Sequence, residues 1–468
     1  MSRSAHPAGP RHADVVQEHQ PAAAPADLNA LAAGIWPSSA RRLDGVLHLG
    51  RASVPDLVAR HGTPAFFMDE DDLRQRARAY ATAFDAGDVY YAGKAFLCTT
   101  VARWIAEEGL GLDVCTDGEL AVAVAAGFPP DRLGMHGNNK SRAELERAVA
   151  AGVGRIIVDS FDEIARLRDV AAEAGLRQRV LVRVTVGVEA HTHEFIATAH
   201  EDQKFGFSLS GGQAEQAVAT VLEAESLDLV GLHSHIGSQI FDTAGFDVSA
   251  HRVVELAATI RDRYGVEIAE INLGGGLGVA YLPGDDPETP KEIAQRLTAI
   301  VERECRAAGL AVPRLSMEPG RAIVGPSAIT VYEVGTVKDV VLDGNLTRCY
   351  VSVDGGMSDN IRTALYDADY TCALANRATD APAKLARVVG RHCESGDIVV
   401  RDTWLPSDVA SGDLLAVAAT GAYCRSMASN YNHVRRPPVV GVRDGVSAEL
   451  VRRETEADLL SLDTGWRA

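Results

Sequence analysis

Residues able to do chemistry recur at one kind of place in this chain: the end of a short apolar run, just before a turn. Lys94 in YYAGKA, Cys115, His136, Ser160, His235, the glycines 274–276 and the stretch Glu318–Arg321 all sit there. A lysine in that position is either a snorkelling surface side chain or an amine made nucleophilic by desolvation, able to form a Schiff base. GGGLG (274–278) is either a tight turn or a place where backbone amides approach a phosphate closely. EPGR (318–321) offers an acid, a turn and an arginine within four residues. Arg321 can pair with a phosphate dianion, and Glu318 can hold a ring nitrogen protonated.

LHSHIGSQ (232–239) puts His233 and His235 on one strand face. The pair suits a metal-dependent hydrolase, although no further Asp or His at a strand end plainly completes a metal shell. A histidine stacking on an aromatic cofactor, followed by Ser238 for a phosphate, fits equally well. HTHEF, with His191 and His193, reads as loop structure. In HCESGD (392–397), Cys393 is either a small buried hydrophobe or, beside Glu394, an acid/base group.

These residues need a scaffold that gathers strand ends. DVYYAGKA (88–95), GLDVCT (111–116), RLGMHG (132–137), RIIVDS (155–160), RVLVRV (179–184), LDLVGLHSHI (227–236), EINLGGG (270–276) and RLSMEPG (314–320) read as buried parallel strands. Alanine- and leucine-rich helical stretches separate them. Helix starts carry the S/T-x-x-E spacing of a capping box at Thr116/Glu119, Ser141/Glu144 and Ser160/Glu163. Eight such units match a (β/α)8 barrel, whose site lies at the strand C-terminal ends; an open doubly wound sheet is the alternative.

After Arg321 the texture alternates apolar and polar residues between Gly, Asp and Pro turns, as in TVYEVGTVKDV and DIVVRDTWL, which reads as a β-domain. GVLHLG (45–50) is expected to join it. The expected division is a disordered extension over 1–40, a barrel over 65–320, and a β-domain made of 41–64 plus 321–468.

The 64 acidic against 46 basic residues leave a formal charge of −18, which argues against nucleic acid or an anionic membrane as partner. An anionic ligand must then meet a locally positive site. No apolar run approaches the roughly 20 residues of a membrane span, and the first residues lack the apolar core of a secretory signal. Seven scattered cysteines without a C-x-x-C pair suit a reduced cytoplasm rather than disulfides or zinc.

Taken in order, YYAGKA, GLDVCTDGE, HGNNKS, HEDQKFGF, LHSHIGSQ, GGGLG, EPGR, VDGGMSDNIRTALY, HCESGD and TGAYC resemble the motifs of diaminopimelate decarboxylases. Those enzymes belong with the alanine-racemase-like enzymes that use pyridoxal 5'-phosphate (PLP). The resemblance runs from about residue 45 to the C-terminus. It implies a PLP-binding (β/α)8 barrel followed by a β-sandwich or β-barrel domain, with no metal. Lys94 would form the Schiff base with PLP, His235 would stack on its ring and Glu318 would pair with the pyridine nitrogen. Ser238, Gly276, Gly320, Arg321 and Tyr423 would hold the phosphate, with Arg321 and Tyr423 also near the substrate. Cys393 would be the proton donor, reaching the PLP of a neighbouring subunit in a homodimer with shared sites. Arg362, Tyr366 and Glu394 would grip the far amino-acid head group of meso-2,6-diaminopimelate. Racemases of this superfamily place an arginine opposite the pyridine nitrogen, so a glutamate at 318 points to decarboxylation. The implied reaction yields L-lysine and carbon dioxide in the cytoplasm. Ornithine decarboxylases need no cation at the far end, so Arg362 best separates the two.

Overall fold

A computed structural model describes residues 23–85, 87–187, 204–341 and 347–465. The chain divides into two compact units, one of them made of Leu73–Val279 and Asp286–Gly325. Its barrel is formed by eight strands in chain order, β1 (Asp88–Ala92), β2 (Gly111–Val114), β3 (Leu133–Met135), β4 (Arg155–Val158), β5 (Gln178–Thr185), β6 (Leu227–His233), β7 (Glu270–Asn272) and β8 (Arg314–Met317), with the two-residue strand Phe207–Ser208 added beside β5. Each pairs in parallel with its neighbour, and β8 returns to β1 through Ser316↔Asp88 and Met317↔Val89. That last pairing closes the sheet, so the open doubly wound alternative fails. The strands are short and apolar because both faces are buried, one under helices and one inside the barrel; Leu112, Val114, Met135, Ile156, Val182 and Ile271 are all buried.

The predicted helix starts occur at the expected residues. Thr116, Ser141 and Ser160 each accept the backbone N–H three residues on. Only Ser141/Glu144 among these three is reciprocal. Glu119 instead accepts from the Cys115 N–H at 2.6 Å, and Glu163 turns inward to Lys140 and the Asp159 N–H. Both departures tie a helix start to a strand end.

The second unit gathers residues up to Asp72, Ala280–Asp285 and Pro326–Ala468. Its sheet runs in the order Ile398–Pro406, Ala383–Val389, Thr347–Val353, Ala328–Val341, Ala65–Asp69, Val439–Arg443, Val446–Val451, with Leu414–Val417 also on Ala328–Val341. The apolar strand Ala65–Asp69 lies between Ala328–Val341 and Val439–Arg443. The sequence boundary expected at 64/65 thus compares with one after Asp72, because AFFMD pairs with β-domain strands instead of opening the barrel. GVLHLG forms the strand Val46–Leu49 in a separate three-stranded sheet, with Leu47 and Leu49 in the core of this unit. Ile35 and Trp36, expected within a disordered extension, pack into that same core, where their apolar area is removed from water. Residues 1–22 of that extension, and the histidines of HTHEF, lie outside the described residues.

Candidate active site

A cavity of about 300 Å³ opens at the C-terminal ends of the barrel strands, lined among others by Lys94, Asp113, His136, Arg183, His235 and Glu318. Lys94 lies in a single 3-10 turn, Gly93–Ala95, directly after β1. The turn is held close to β2: a Cβ on Gly93 would lie 2.8 Å from the Asp113 carbonyl oxygen.

His233 ends β6 and His235 follows it, yet the two do different things. The Gly275 N–H donates to His235 Nδ1 at 3.2 Å, which leaves the ring proton on Nε2 and fixes the ring plane. Burial and the nearby Lys94 charge hold this imidazole well below its usual pKa, so it is neutral. His233 turns inward to Glu318, with Nε2 3.1 Å from Oε1.

The glycine run after β7 is required by close backbone packing. A Cβ on Gly275 would fall 2.2 Å from the Glu318 carbonyl oxygen, and one on Gly276 2.3 Å from that of Gly237. Gly276 also has φ +101°, which L side chains rarely adopt. The Ile240 N–H donates to the Gly276 carbonyl at 2.9 Å, lacing the loop after β6 to the loop after β7. Against this seam Arg321 donates to the Ser238 hydroxyl at 2.8 Å. A cation, a hydroxyl and a glycine-lined backbone seam together suit a phosphate. The donor set and the neutral, fixed imidazole fit a phosphorylated aromatic aldehyde such as PLP.

Glu318, just beyond β8, is buried and hydrogen-bonded on both oxygens. Asn272 Nδ2 donates to Oε1 at 2.8 Å, and His136 Nε2 lies 3.2 Å from the same oxygen. Burial opposes its charge, but His136 and His233 hold the carboxyl well below its usual range. His136, His233 and Glu318 have ligand atoms within 4.8 Å of one another, the spacing of a metal set. Here His233 Nε2 and Asn272 Nδ2 already hydrogen-bond the carboxylate, while His136 Nε2 stands at ion-pair distance from it without a hydrogen bond. The metal pair weighed from the sequence, His233 with His235, does not converge in this way.

Of the expected site residues, Lys94, His235, Ser238, Gly276, Glu318, Gly320 and Arg321 lie in the barrel unit, whereas Arg362, Tyr366, Cys393, Glu394 and Tyr423 lie in the second unit. There Arg362 is buried, and its guanidinium donates to the hydroxyls of Tyr281 (3.0 Å) and Tyr370 (2.5 Å). Neutral acceptors orient the cation without neutralising it. Tyr366 follows one turn later on the short helix Arg362–Tyr366, and Tyr423 is half-buried with φ +61°.

Cys393 and Glu394 are exposed on a turn that Asp397 builds. Asp397 accepts from the Met357 N–H (2.6 Å) and the His392 N–H (2.7 Å), so one buried carboxylate ties this turn to the segment leading to Arg362. His392 Nε2 is 2.8 Å from Ser358 Oγ, and Tyr431 donates to Glu394 at 2.8 Å. Asp113, Asn272, Arg183 and the inward role of His233 were not singled out from the sequence. A carboxylate within the apolar strand GLDV was the available signal, since a buried charge requires a partner.

Residues 70–325 match the family described as pyridoxal-dependent decarboxylase, pyridoxal binding domain. The chain is 57% identical to a diaminopimelate decarboxylase of Mycobacterium leprae, over 98% of this chain and 99% of the relative. It is 46% identical to that of Bacillus subtilis, over 92% and 98%. Among solved structures, the diaminopimelate decarboxylase of M. jannaschii in complex with L-lysine superposes with a TM-score of 0.84 at 30% identity, covering 91% of this chain and 98% of that one. Among the described residues, no helix is long and apolar enough to cross a membrane. On this match and these relatives, the chain belongs to the diaminopimelate decarboxylases of the pyridoxal-dependent decarboxylase family.

Proposed function

We propose that this chain carries out its family's reaction, decarboxylation of meso-2,6-diaminopimelate to L-lysine in the final step of lysine synthesis, at the barrel cavity. The observation that carries the reading is the convergence there of Lys94, the fixed His235 ring and the ionised Glu318, with the Arg321–Ser238 pair three residues beyond Glu318 and His235. When bound, PLP supplies the electron sink for the carbon that loses carbon dioxide.

The chain's own residues do the rest. Lys94 is the amine that would hold the cofactor aldehyde. His235, neutral and fixed by Gly275, presents a flat face to the ring. Glu318 keeps a proton on the ring nitrogen. Ser238, Gly276, Gly320, Arg321 and Tyr423 hold the phosphate, with Arg321 and Tyr423 also close to the substrate. Arg362, Tyr366 and Glu394 grip the distal head group, a carboxylate needing a cation and an ammonium needing an acid. Cys393 delivers the proton to the carbon that has lost carbon dioxide. In this reading Cys393 reaches the barrel cavity of a second copy, so the working enzyme is a cytoplasmic homodimer with shared sites.

The test is an absorbance spectrum of the purified protein, followed by meso-diaminopimelate with lysine and carbon dioxide recorded. A visible cofactor band and stoichiometric lysine support the reading, and Lys94→Ala should abolish both. Full turnover in Lys94→Ala would remove the cofactor assignment.

A further inference from the structure

His136 follows β3 and stands between two carboxylates. Its Nε2 is 3.4 Å from Asp113 Oδ1 and 3.2 Å from Glu318 Oε1, and all three side chains are at most 10% exposed. Two buried carboxylates this close to one nitrogen repel each other unless a proton lies between them. Burial alone would depress the His136 imidazole, but the charges of Glu318 and Asp113 outweigh it and hold it up at about 9. Burial, reinforced by Glu318, pushes Asp113 up to about 6. His233, the other histidine on Glu318, is pushed down by burial to about 4 and is neutral.

The charges of the cluster therefore do not cancel. Asp113 and Glu318 contribute two negative charges at neutral pH, and His136 contributes one positive charge. The other charged groups lining the cavity are Lys94 after β1, Arg183 on β5 and Lys204; Glu119 at the helix start after β2 and Arg155 on β4, itself paired with Glu270, act on the cluster from beside it. Arg183 is engaged with Asp159 at 3.6 Å, and Glu119 with the Cys115 N–H. The surplus negative charge lies on the carboxylates around His136, where a protonated ring nitrogen would balance it.

We propose that His136 is a positioning residue for the cofactor: it places an imidazolium charge between Asp113 and Glu318, and thereby keeps Glu318 ionised as the acceptor for the proton on the PLP ring nitrogen. The proposal rests on the reading that Glu318 meets that nitrogen. Without the imidazolium, the two carboxylates must share a proton themselves, and Glu318 becomes a weaker partner for the ring. Asp113 is then the source of the damage, so removing its charge relieves it.

The experiment compares PLP-loaded wild type, His136→Gln, His136→Gln/Asp113→Asn and Glu318→Gln, reading the pH titration of the bound cofactor's absorbance, kcat and KM. In His136→Gln we expect the titration midpoint to move by about one pH unit or more, kcat to fall roughly 10- to 100-fold, and KM to stay within about twofold. The double variant should recover most of the kcat and of the spectral shift. A merely structural role for His136 predicts no such rescue, so loss without rescue in a folded protein overturns the proposal. An unchanged titration and kcat in His136→Gln overturn it as well. If Glu318→Gln itself leaves spectrum and kcat unchanged, the ring-nitrogen reading falls instead. Should His136→Gln not fold, histidine nitrogen NMR of the wild-type holoenzyme decides: a cationic His136 at pH 7.5 is expected, and a neutral one overturns the proposal.

Discussion

Replacing Lys140 by Met should destabilise the barrel unit through a charge left alone in the interior. Lys140 and Glu163 form an ion pair at 2.7 Å with side chains 1% and 2% exposed. The same ammonium donates to the carbonyls of Gly137 and Ile157, both at 2.7 Å, so all three of its protons are used. Met fills similar volume, but it strands the Glu163 carboxylate with the Asp159 N–H as its remaining donor at 3.1 Å. Breaking a buried pair in this way costs roughly 3–5 kcal/mol, which for a unit of this size lowers Tm by roughly 6–20 °C. Burial already raises the Glu163 pKa against the pull of Lys140. Without the ammonium it rises further, so the folded variant takes up a proton as pH falls, and its deficit should shrink between pH 8 and 5. Thermal unfolding by circular dichroism across that range provides the assay. Lys140→Met/Glu163→Gln should recover at least half the loss, because no charge is then stranded. A double variant no more stable than the single one, or a deficit independent of pH, would refute the argument.

Gly276→Ala places a Cβ 2.3 Å from the Gly237 carbonyl at φ +101°, so it should cost about 1–3 kcal/mol and weaken PLP binding at least about tenfold; equal Tm and affinity to wild type would contradict the phosphate-seam geometry. Arg362→Ala should raise KM for diaminopimelate far more than it changes PLP affinity, as measured by cofactor titration, and parallel losses in both would count against its role at the distal carboxylate. Burial pushes Asp359 up to about 7, even though Tyr332 and the Gly356 N–H donate to it. The folded protein therefore retains a proton that the unfolded chain gives up near pH 4. That contribution is present at low pH and lost as pH rises through about 7. Asp359→Asn should accordingly gain stability relative to wild type between pH 5 and 8 in urea unfolding, and parallel pH profiles would dismiss the assignment.

The barrel was legible because each of its strands is an apolar run ending in a chemically distinctive residue, and the β-domain because its strands alternate. The end of β1 was less so: YYAGKA reads as continuous strand, but Gly93 must turn early to clear the Asp113 carbonyl, which leaves Lys94 in the turn. Trp36 looked like part of a polar, alanine-rich tail, because a single apolar pair has no period to betray its burial. Thr116/Glu119 and Ser160/Glu163 satisfied a local spacing rule, yet tertiary partners drew both glutamates away. His136 was visible as a residue at a strand end and Asp113 was not, and their approach to Glu318 joins three strands and follows no sequence period. Asp397 was hidden for a like reason, since one of its backbone donors, Met357, lies 40 residues away in the sequence.

The placement of Ala65–Asp69 has a consequence for how the chain is made. This strand is apolar and wholly buried, and both its neighbours in the sheet, Ala328–Val341 and Val439–Arg443, come from beyond the entire barrel sequence. At roughly 5–20 residues per second, a nascent chain carries AFFMD with both edges unpaired for tens of seconds while the barrel emerges. Such a segment is a template for pairing with other chains. Newly made protein therefore passes through a sticky state set by synthesis order, and slower expression or holdase chaperones should raise the soluble yield. A circular permutation that moves the N-terminal segment behind the β-domain would bring the strand out together with its partners.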